Sequence, residues 1–535
     1  MRRFAITLAA SLLFSAATLA SAQIMDEQGR ALSPEEGRKL RARIAELART
    51  SGLQANTIAG IAEAVGVQYA GAKGDRLIEL VNQQVYEAVK WKDEAERLER
   101  MIGRLERSDL TRTYAARLED AFAAFERGEL QQAEAIMGEL ARTALTQREQ
   151  LAGVWEKTVE AQADLASLAS DFDRASEIRI SAAELIERQA NLAQWQLYFD
   201  AATDQRAKAI LKGDLSGFQR AVALYEEKAL PLLDAETQPE QWIETRAEWA
   251  GALQEAAERG IFGEQRFQVY DQVRTIYRDT YNDVAEEMVG SRAWFQLCLG
   301  YVSALLNQTS RNSQQFDPSL QPGPLLLASL HLTDMMVAMP QSSDYPILRV
   351  GTLNTRGRLR KELTYWCSDC TKREMYELAL PDFEAALQIE VPPYYNGVST
   401  ETMMAVIDLN RLETLRHLAY EKRDDTASLA VEALVKDHLE VIAKLDPDTE
   451  HDIWMVAQIF LVACFQEAAD ISSDPSRQLR LYRAARDQVA IAQAENVYGP
   501  GNVFYEILAE TSAEVEVKLA KITLPETAGR EPACE

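Results

Sequence analysis

Apolar residues along this chain recur at steps of three and four rather than alternating, which is the period of helices packed on one face. The run over residues 239–260, PEQWIETRAEWAGALQEAAERG, shows it most plainly. Trp242, Thr245, Trp249, Ala252 and Leu253 share one face, Glu244, Glu248, Gln254 and Glu258 solvate the other, and Gly260 supplies a stop. Over residues 23–110 the steps are more regular. A seam of Leu77, Val81, Gln84, Ala88, Trp91, Ala95, Leu98, Ile102 and Leu105 alternates four and three. Such a seam suits an N-terminal long-helix or coiled-coil segment, packed on its own domain or pairing two copies of the chain as a homo-oligomer.

From Tyr114 the pattern breaks into shorter paired helices, and a repeat becomes visible through its alanines. One set is Gly128, Leu130, Ala133, Met137 and Leu140; a second is Phe172, Ala175, Arg179 and Ala182; a third is Phe218, Ala221 and Tyr225, followed by Pro231. Twelve residues before Ala133, Ala175 and Ala221 stand Ala121, Ala163 and Ala209. Small residues at both positions are expected where two antiparallel helices approach closely. The expected fold class is therefore all-α, an α-solenoid of antiparallel helix pairs. The array is expected over 111–306 and again over 325–522. Residues 307–324, NQTSRNSQQFDPSLQPGP, lack periodicity and end in Pro-Gly-Pro, the mark of a linker between them. Residues 523–535 read as a disordered tail.

With these sets in view the chain resembles the tetratricopeptide repeat family. In 239–260 the first helix reads P-x-x-W-x-x-T, with Trp249-Ala250 in place of leucine-glycine and Ala257-Glu258-Arg259-Gly260 at its end. Trp294, Leu297, Cys298 and Tyr301 fit W-x-x-L-G-x-x-Y with cysteine in the small position. The anchor spacings, 42 residues from Ala133 to Ala175 and 46 from Ala175 to Ala221, exceed the family's and imply longer helices. The resemblance implies a scaffold whose first helices line a concave face for a protein or peptide partner. Carried over with Ala250 in the small position, it places Glu244, Ala247, Gly251 and Gln254 on that face.

Composition narrows the partner and the destination. The chain has 57 basic and 83 acidic residues and a net charge of -26, or -28 without Arg2 and Arg3. That argues against a nucleic-acid partner. Residues 1–22 carry Arg2 and Arg3, an apolar stretch from Phe4 to Leu19 and then Ala20-Ser21-Ala22, the form of a bacterial export signal cleaved after Ala22. A periplasmic or secreted protein is expected, with no cysteine at the new terminus for lipid attachment and no later membrane-spanning stretch.

Two clusters invite chemistry. Trp366-Cys367-Ser368-Asp369-Cys370 resembles the W-C-x-x-C motif of thioredoxin-like oxidoreductases, so a thiol-disulfide oxidoreductase or a redox-responsive scaffold is one alternative. That chemistry wants an apolar strand upstream, whereas Arg356-Gly357-Arg358-Leu359-Arg360-Lys361 precedes it. Downstream, Ala379, Phe383 and Ala386 read as the second helix of a repeat. Cys367 stands twelve residues before Ala379, at the small contact position, which favours packed thiols or a local disulfide to Cys370. Arg356, Arg358, Arg360 and Lys361 form the one dense basic cluster, read either as an anion-binding site or as solvated ion pairs. The aromatic turn Pro392-Pro393-Tyr394-Tyr395-Asn396-Gly397 covers a neighbouring helix or serves as a contact. Neither metal-ligand spacing nor a cofactor or nucleophile fingerprint is present, so the expectation is a binding scaffold, not an enzyme. A self-associating envelope component is the third reading.

Overall fold

The computed structural model describes residues 34–51, 53–68, 75–102, 109–146, 154–186, 191–212, 214–259, 261–262, 265–310, 316–317, 319–366, 371–392, 394–395, 398–445, 451–495 and 503–522. The export signal, Leu105, Gly260, Cys367, Cys370 and the tail lie outside them. The chain is all-α, an α-solenoid-like succession of helices in which, within each unit, most pack on the next. Two compact units divide it within the eleventh helix, between Ile276 and Glu286.

The first unit runs through α1 (Pro34–Ser51), α2 (Ala55–Gln68), α3 (Asp75–Ile102), α4 (Asp109–Glu126), α5 (Leu130–Thr146), α6 (Val154–Leu168), α7 (Phe172–Leu185), α8 (Asn191–Lys212), α9 (Leu215–Ala223) and α10 (Pro239–Glu258), into α11 (Arg266–Asp283). Ala121, Ala133, Ala163, Ala175, Ala209 and Ala221 are all fully buried on the successive pairs α4/α5, α6/α7 and α8/α9. The turns between paired helices repeat as well. Gly128, with φ of 80°, donates to Phe125 while Glu129 donates to Ala124, and 42 residues later Ser170, with φ of 58°, repeats the two bonds through Ser167 and Ala166. This is the left-handed helix stop that lets the chain reverse at once. After Ala223 a π-helical turn over Leu224–Ala229 keeps Tyr225 buried before Pro231 ends the segment.

The seam of α3 is consumed inside this unit. Val81, Gln84, Ala88, Trp91, Ala95 and Leu98 are all buried, and α3 packs on α6. Trp91 donates its indole N–H to the Ala161 carbonyl at 3.0 Å and lies 4.2 Å from the Phe125 ring. These six seam residues thus face the chain's own core, as in the reading of a long helix packed on its own domain.

The second unit contains α12 (Arg292–Thr309), α13 (Pro322–Ala338), α14 (Pro346–Trp366), α15 (Lys372–Leu387), α16 (Thr400–Tyr420), α17 (Asp425–Ile442), α18 (His451–Ile471), α19 (Pro475–Glu495) and α20 (Val503–Lys521). Besides the packing of consecutive helices from α12 onward, α12 touches α14, α14 touches α16, α16 touches α18 and α18 touches α20, more closely than the alternate helices approach one another. These five form the tighter, inner layer of the unit. The segment 307–324 falls inside it, joining α12 to α13, which pack together. Residues 307–309 belong to α12 and 322–324 to α13; the contact boundary lies earlier in the chain. Trp294, Leu297 and Cys298 are buried in α12, as their motif requires. The aromatic turn forms a two-residue ribbon pairing Tyr394 with Ser399 and Tyr395 with Val398.

One helix, Ile453–Ile471, is long and apolar enough to cross a membrane by length and composition, contrary to the expectation of none. It packs between α17 and α19, with Leu461, Val462 and Cys464 buried and Glu467 paired to Arg416 of α16.

The α4/α5 turn supplies a stability test. A Cβ on Gly128 would stand 2.2 Å from the Asn56 carbonyl oxygen, at a φ that side chains rarely adopt, and one on Gly60 would stand 2.1 Å from the Gly128 oxygen. Gly128→Ala is expected to lower stability by about 2–3 kcal/mol in chemical denaturation. An unchanged midpoint would refute the close approach.

Candidate functional site

The basic cluster of α14 is split by the helix that carries it. Residues four apart share a face, whereas residues two apart point to nearly opposite sides. Arg356 and Arg360 therefore turn together toward Asp382 of α15 and Asp334 of α13: Arg356 Nε lies 3.0 Å from Asp382 Oδ1 and Arg360 Nη1 2.6 Å from Asp382 Oδ2. Asp382 is 2% exposed; burial raises its pKa and the two guanidinium groups oppose that. Lys361 turns to the inner layer and pairs with Glu413 of α16. The cluster is thus not one patch. Three of its four cations are neutralised, and they are neutralised by enclosed pairs between helices instead of solvated ones.

Arg358 is the exception. It is half-buried on the inner side of α14, and its one hydrogen bond among the described residues runs from Nη2 to Asn307 Oδ1 of α12 at 3.2 Å. No described carboxylate lies within ion-pair distance of it. Burial pushes its pKa down, while the more distant Glu362 and Glu413 push it up.

Around Arg358 the inner layer is polar. On α14, Asn354, Arg358, Lys361 and Tyr365 follow at four, three and four residues, one helical face, and on α16 Asn410, Glu413 and His417 do the same. Asn410 Nδ2 donates to Asn354 Oδ1 at 3.1 Å. Burial opposes the charge of Glu413, yet Lys361, His417 and Arg416 together take its pKa below the ordinary carboxylate range. Arg416 extends the row to Glu467 of α18. The His417 ring stacks on Tyr376 of α15, 4.9 Å between centroids and 11° between planes, and Tyr365 is exposed at the end of the row. Sequence reading missed Asn354, Asn410, Glu413 and His417. Their signal is the shared helical face, visible only once α14 and α16 are known to be neighbours in one layer.

The four concave-face residues expected on α10 fare unevenly. Ala247 is 6% exposed and presents nothing to a ligand, Gly251 lies under Arg206 of α8, Gln254 donates to Glu258, and Glu244 is half-buried. What α10 does supply toward α8 is Thr245, which accepts from the Trp195 indole at 2.9 Å, with Glu248 and Glu255, which both pair with Arg206.

The first unit also encloses charge in surplus. Arg179 of α7 is 7% exposed, with Nη2 at 2.6 Å from Asp164 of α6 and Nη1 on Asp204 of α8; Asp200 of α8 accepts from Gln196 at 3.0 Å. Burial raises Asp164, Asp200 and Asp204 each to about 6, opposed first by Arg179, with Glu160 adding repulsion at Asp164 and Asp200. Glu87 of α3 also acts on Asp164, and Ser167 donates to Asp204.

The thiols reached by the structure are packed in the core. Cys298 and Cys464 are free and buried, and burial raises both pKa values, Cys464 to about 12. Upstream of the W-C-x-x-C segment the chain is the helix α14, ending at Trp366, and the nearby close approach between α14 and α15 is made by Gly357 against Phe383. Cys367 and Cys370 themselves are outside the described residues. Among the described residues no three His, Cys, Asp or Glu side chains converge to hold a metal ion.

No protein-family model matches the chain, and no curated protein does either. Among solved structures it is similar to a Rap protein complexed with competence and sporulation factor, at 14% identity over 77% of this chain and 98% of that one, with a TM-score of 0.32. It is also similar to a circular tandem repeat protein with a novel repeat topology, at 15% identity over 90% and 97%, with a TM-score of 0.24. Both scores are low. The class of this protein, an all-α array of antiparallel helix pairs, rests on its own packing.

The carboxylates around Arg179 make a pH test. A carboxyl whose folded pKa is raised binds its proton more tightly folded than unfolded, so its contribution to stability is present at low pH and lost as pH rises from about 4 to about 6. Asp200→Asn should therefore melt above the unsubstituted protein at about pH 7.5, by about 2–4 °C for each kcal/mol of relieved strain. The gap should narrow as pH falls towards about 4; a gap independent of pH in calorimetric melts would mean Asp200 titrates normally.

Proposed function

We propose that this protein is an exported helical-repeat scaffold, not a catalyst, and that the inner layer of its second unit binds an extended segment of a protein or peptide partner. The observation that carries the reading is the row of paired amide and charged side chains, Asn354 and Asn410 with Arg358 beside Asn307, along adjacent inner helices. An amide side chain offers a donor and an acceptor at once, matching the N–H and C=O that an extended backbone presents. The thiol-exchange alternative draws no support from the helix that precedes Cys367. The self-association alternative draws no support from the six described seam residues, which are buried in the chain's own core.

Selection of random peptides of about twelve residues, long enough to cross three helices when extended, on the protein from Gln23 onward is expected to yield binders. Asn354→Ala should weaken these about tenfold without lowering the melting temperature by more than a few degrees. Failure to obtain any binder, or binders indifferent to both Asn354→Ala and Asn410→Ala, would overturn this site. The exported destination is tested apart from it: expressed with its leader in a bacterium, the protein should be recovered from the periplasm or the medium with Gln23 at its N-terminus. Recovery of the unprocessed chain from the cytoplasm would exclude export.

A further inference from the structure

Resting on that reading of the inner layer, we infer that Arg358 is the specificity-determining contact of the site and that the bound segment carries a carboxylate to meet it. The argument begins with what the other cations do. Arg179, Arg206, Arg356, Arg360, Lys361 and Arg416 each meet a carboxylate within the protein. Arg358 belongs to the same enclosed class, since it is half-buried and burial works against its charge, but no described carboxylate reaches it.

A guanidinium so placed has lost part of its hydration and feels Glu362 and Glu413 only at a distance, without an ion pair, so its planar fork is left to be engaged from outside. Its neighbour Asn307 holds Nη2 from the α12 side, which orients the fork. Among the described residues none of its nitrogens is enclosed without a partner, so the N–H groups that Asn307 does not engage reach solvent. The group that fits is a planar anion with two acceptor oxygens, a carboxylate, bound in charge-assisted hydrogen bonds. Lys361 cannot compete for that anion, because Glu413 already holds it. The carboxylate has two sources in a polypeptide, an Asp or Glu side chain or the free C-terminus, and the chemistry at Arg358 is the same for both.

The test uses the peptides selected above, synthesised in three forms: unmodified, with each Asp or Glu changed to its amide, and with the C-terminus amidated. Binding is measured by calorimetry to the unsubstituted protein, to Arg358→Lys, to Arg358→Gln and to Asn354→Ala. One of the two neutralisations is expected to weaken binding to the unsubstituted protein ~10- to 100-fold, which names the source of the carboxylate. The same neutralisation should cost little on Arg358→Gln and an intermediate amount on Arg358→Lys, which keeps the charge but loses the fork.

Peptides that bind, depend on Asn354 and yet are indifferent to both neutralisations and to Arg358→Gln would overturn the carboxylate contact and leave the peptide site standing. Absence of binders to the unsubstituted protein would remove both. Should Arg358→Gln fold poorly by its melting curve, a reduced dependence on the carboxylate in Arg358→Lys decides the matter. Equal dependence in Arg358→Lys and the unsubstituted protein would then overturn the proposal.

Discussion

Everything in this protein depends on how closely antiparallel helices are allowed to approach. At the contact positions the chain has removed side-chain volume: six alanines on three helix pairs of the first unit are fully buried, and Gly217 lies so near α8 that a Cβ would stand 2.5 Å from the Gln205 oxygen. In the second unit Gly357 serves the same end, where a Cβ would stand 2.5 Å from the Phe383 ring. Close backbones leave the flanking positions of each helix no room to turn inward, so those side chains are sorted to one layer or the other. Register at the contact residue thus decides which polar groups line the inner layer.

The second constraint is charge. A chain with 83 acidic residues packed into paired helices cannot keep every carboxylate at the surface, and those trapped between helices need a partner. Arginine fills this need repeatedly. Arg179 joins α6 and α8 from α7, Arg206 joins α8 to two carboxylates of α10, and Arg356 and Arg360 share Asp382. A guanidinium suits the place because its fork can serve two acceptors in one plane, which an ammonium cannot.

This explains what was and was not legible in the sequence. Helical period and small residues are local signals, so the fold class and the alanine pairs could be read directly, including an arginine at a core position of the second set, which proves to be the buried Arg179. The boundary near residue 280 left no such signal, since it falls within a continuous helix, while the conspicuous polar run at 307–324 connects two helices of one unit that pack together. The basic cluster misled for a geometric reason. Four cations within six residues look like one patch along the chain, but a helix sends Arg356 and Arg360 one way and Arg358 and Lys361 another. Asn354 and Asn410 were invisible because their meaning lies in a contact across 56 residues.

The same elementary arrangement, an arginine held between neighbouring helices, therefore has two outcomes that differ only in the carboxylates around it. At Arg179 there are more acidic groups than the cation can neutralise, so the arrangement is closed to an anion and holds its excess as strain on Asp164, Asp200 and Asp204. At Arg358 no described carboxylate stands within ion-pair distance: Asn307 holds one side of it, Glu413 is committed to Lys361, and Glu362, one turn along α14, accepts from Ser310. A neutral amide orients the guanidinium without satisfying its charge, which is the condition for a group to remain both fixed and available. Had an acidic residue stood at position 307, the fork would close as another interhelical lock, and the inner layer would keep its polar row but lose the charge that can select one ligand over another.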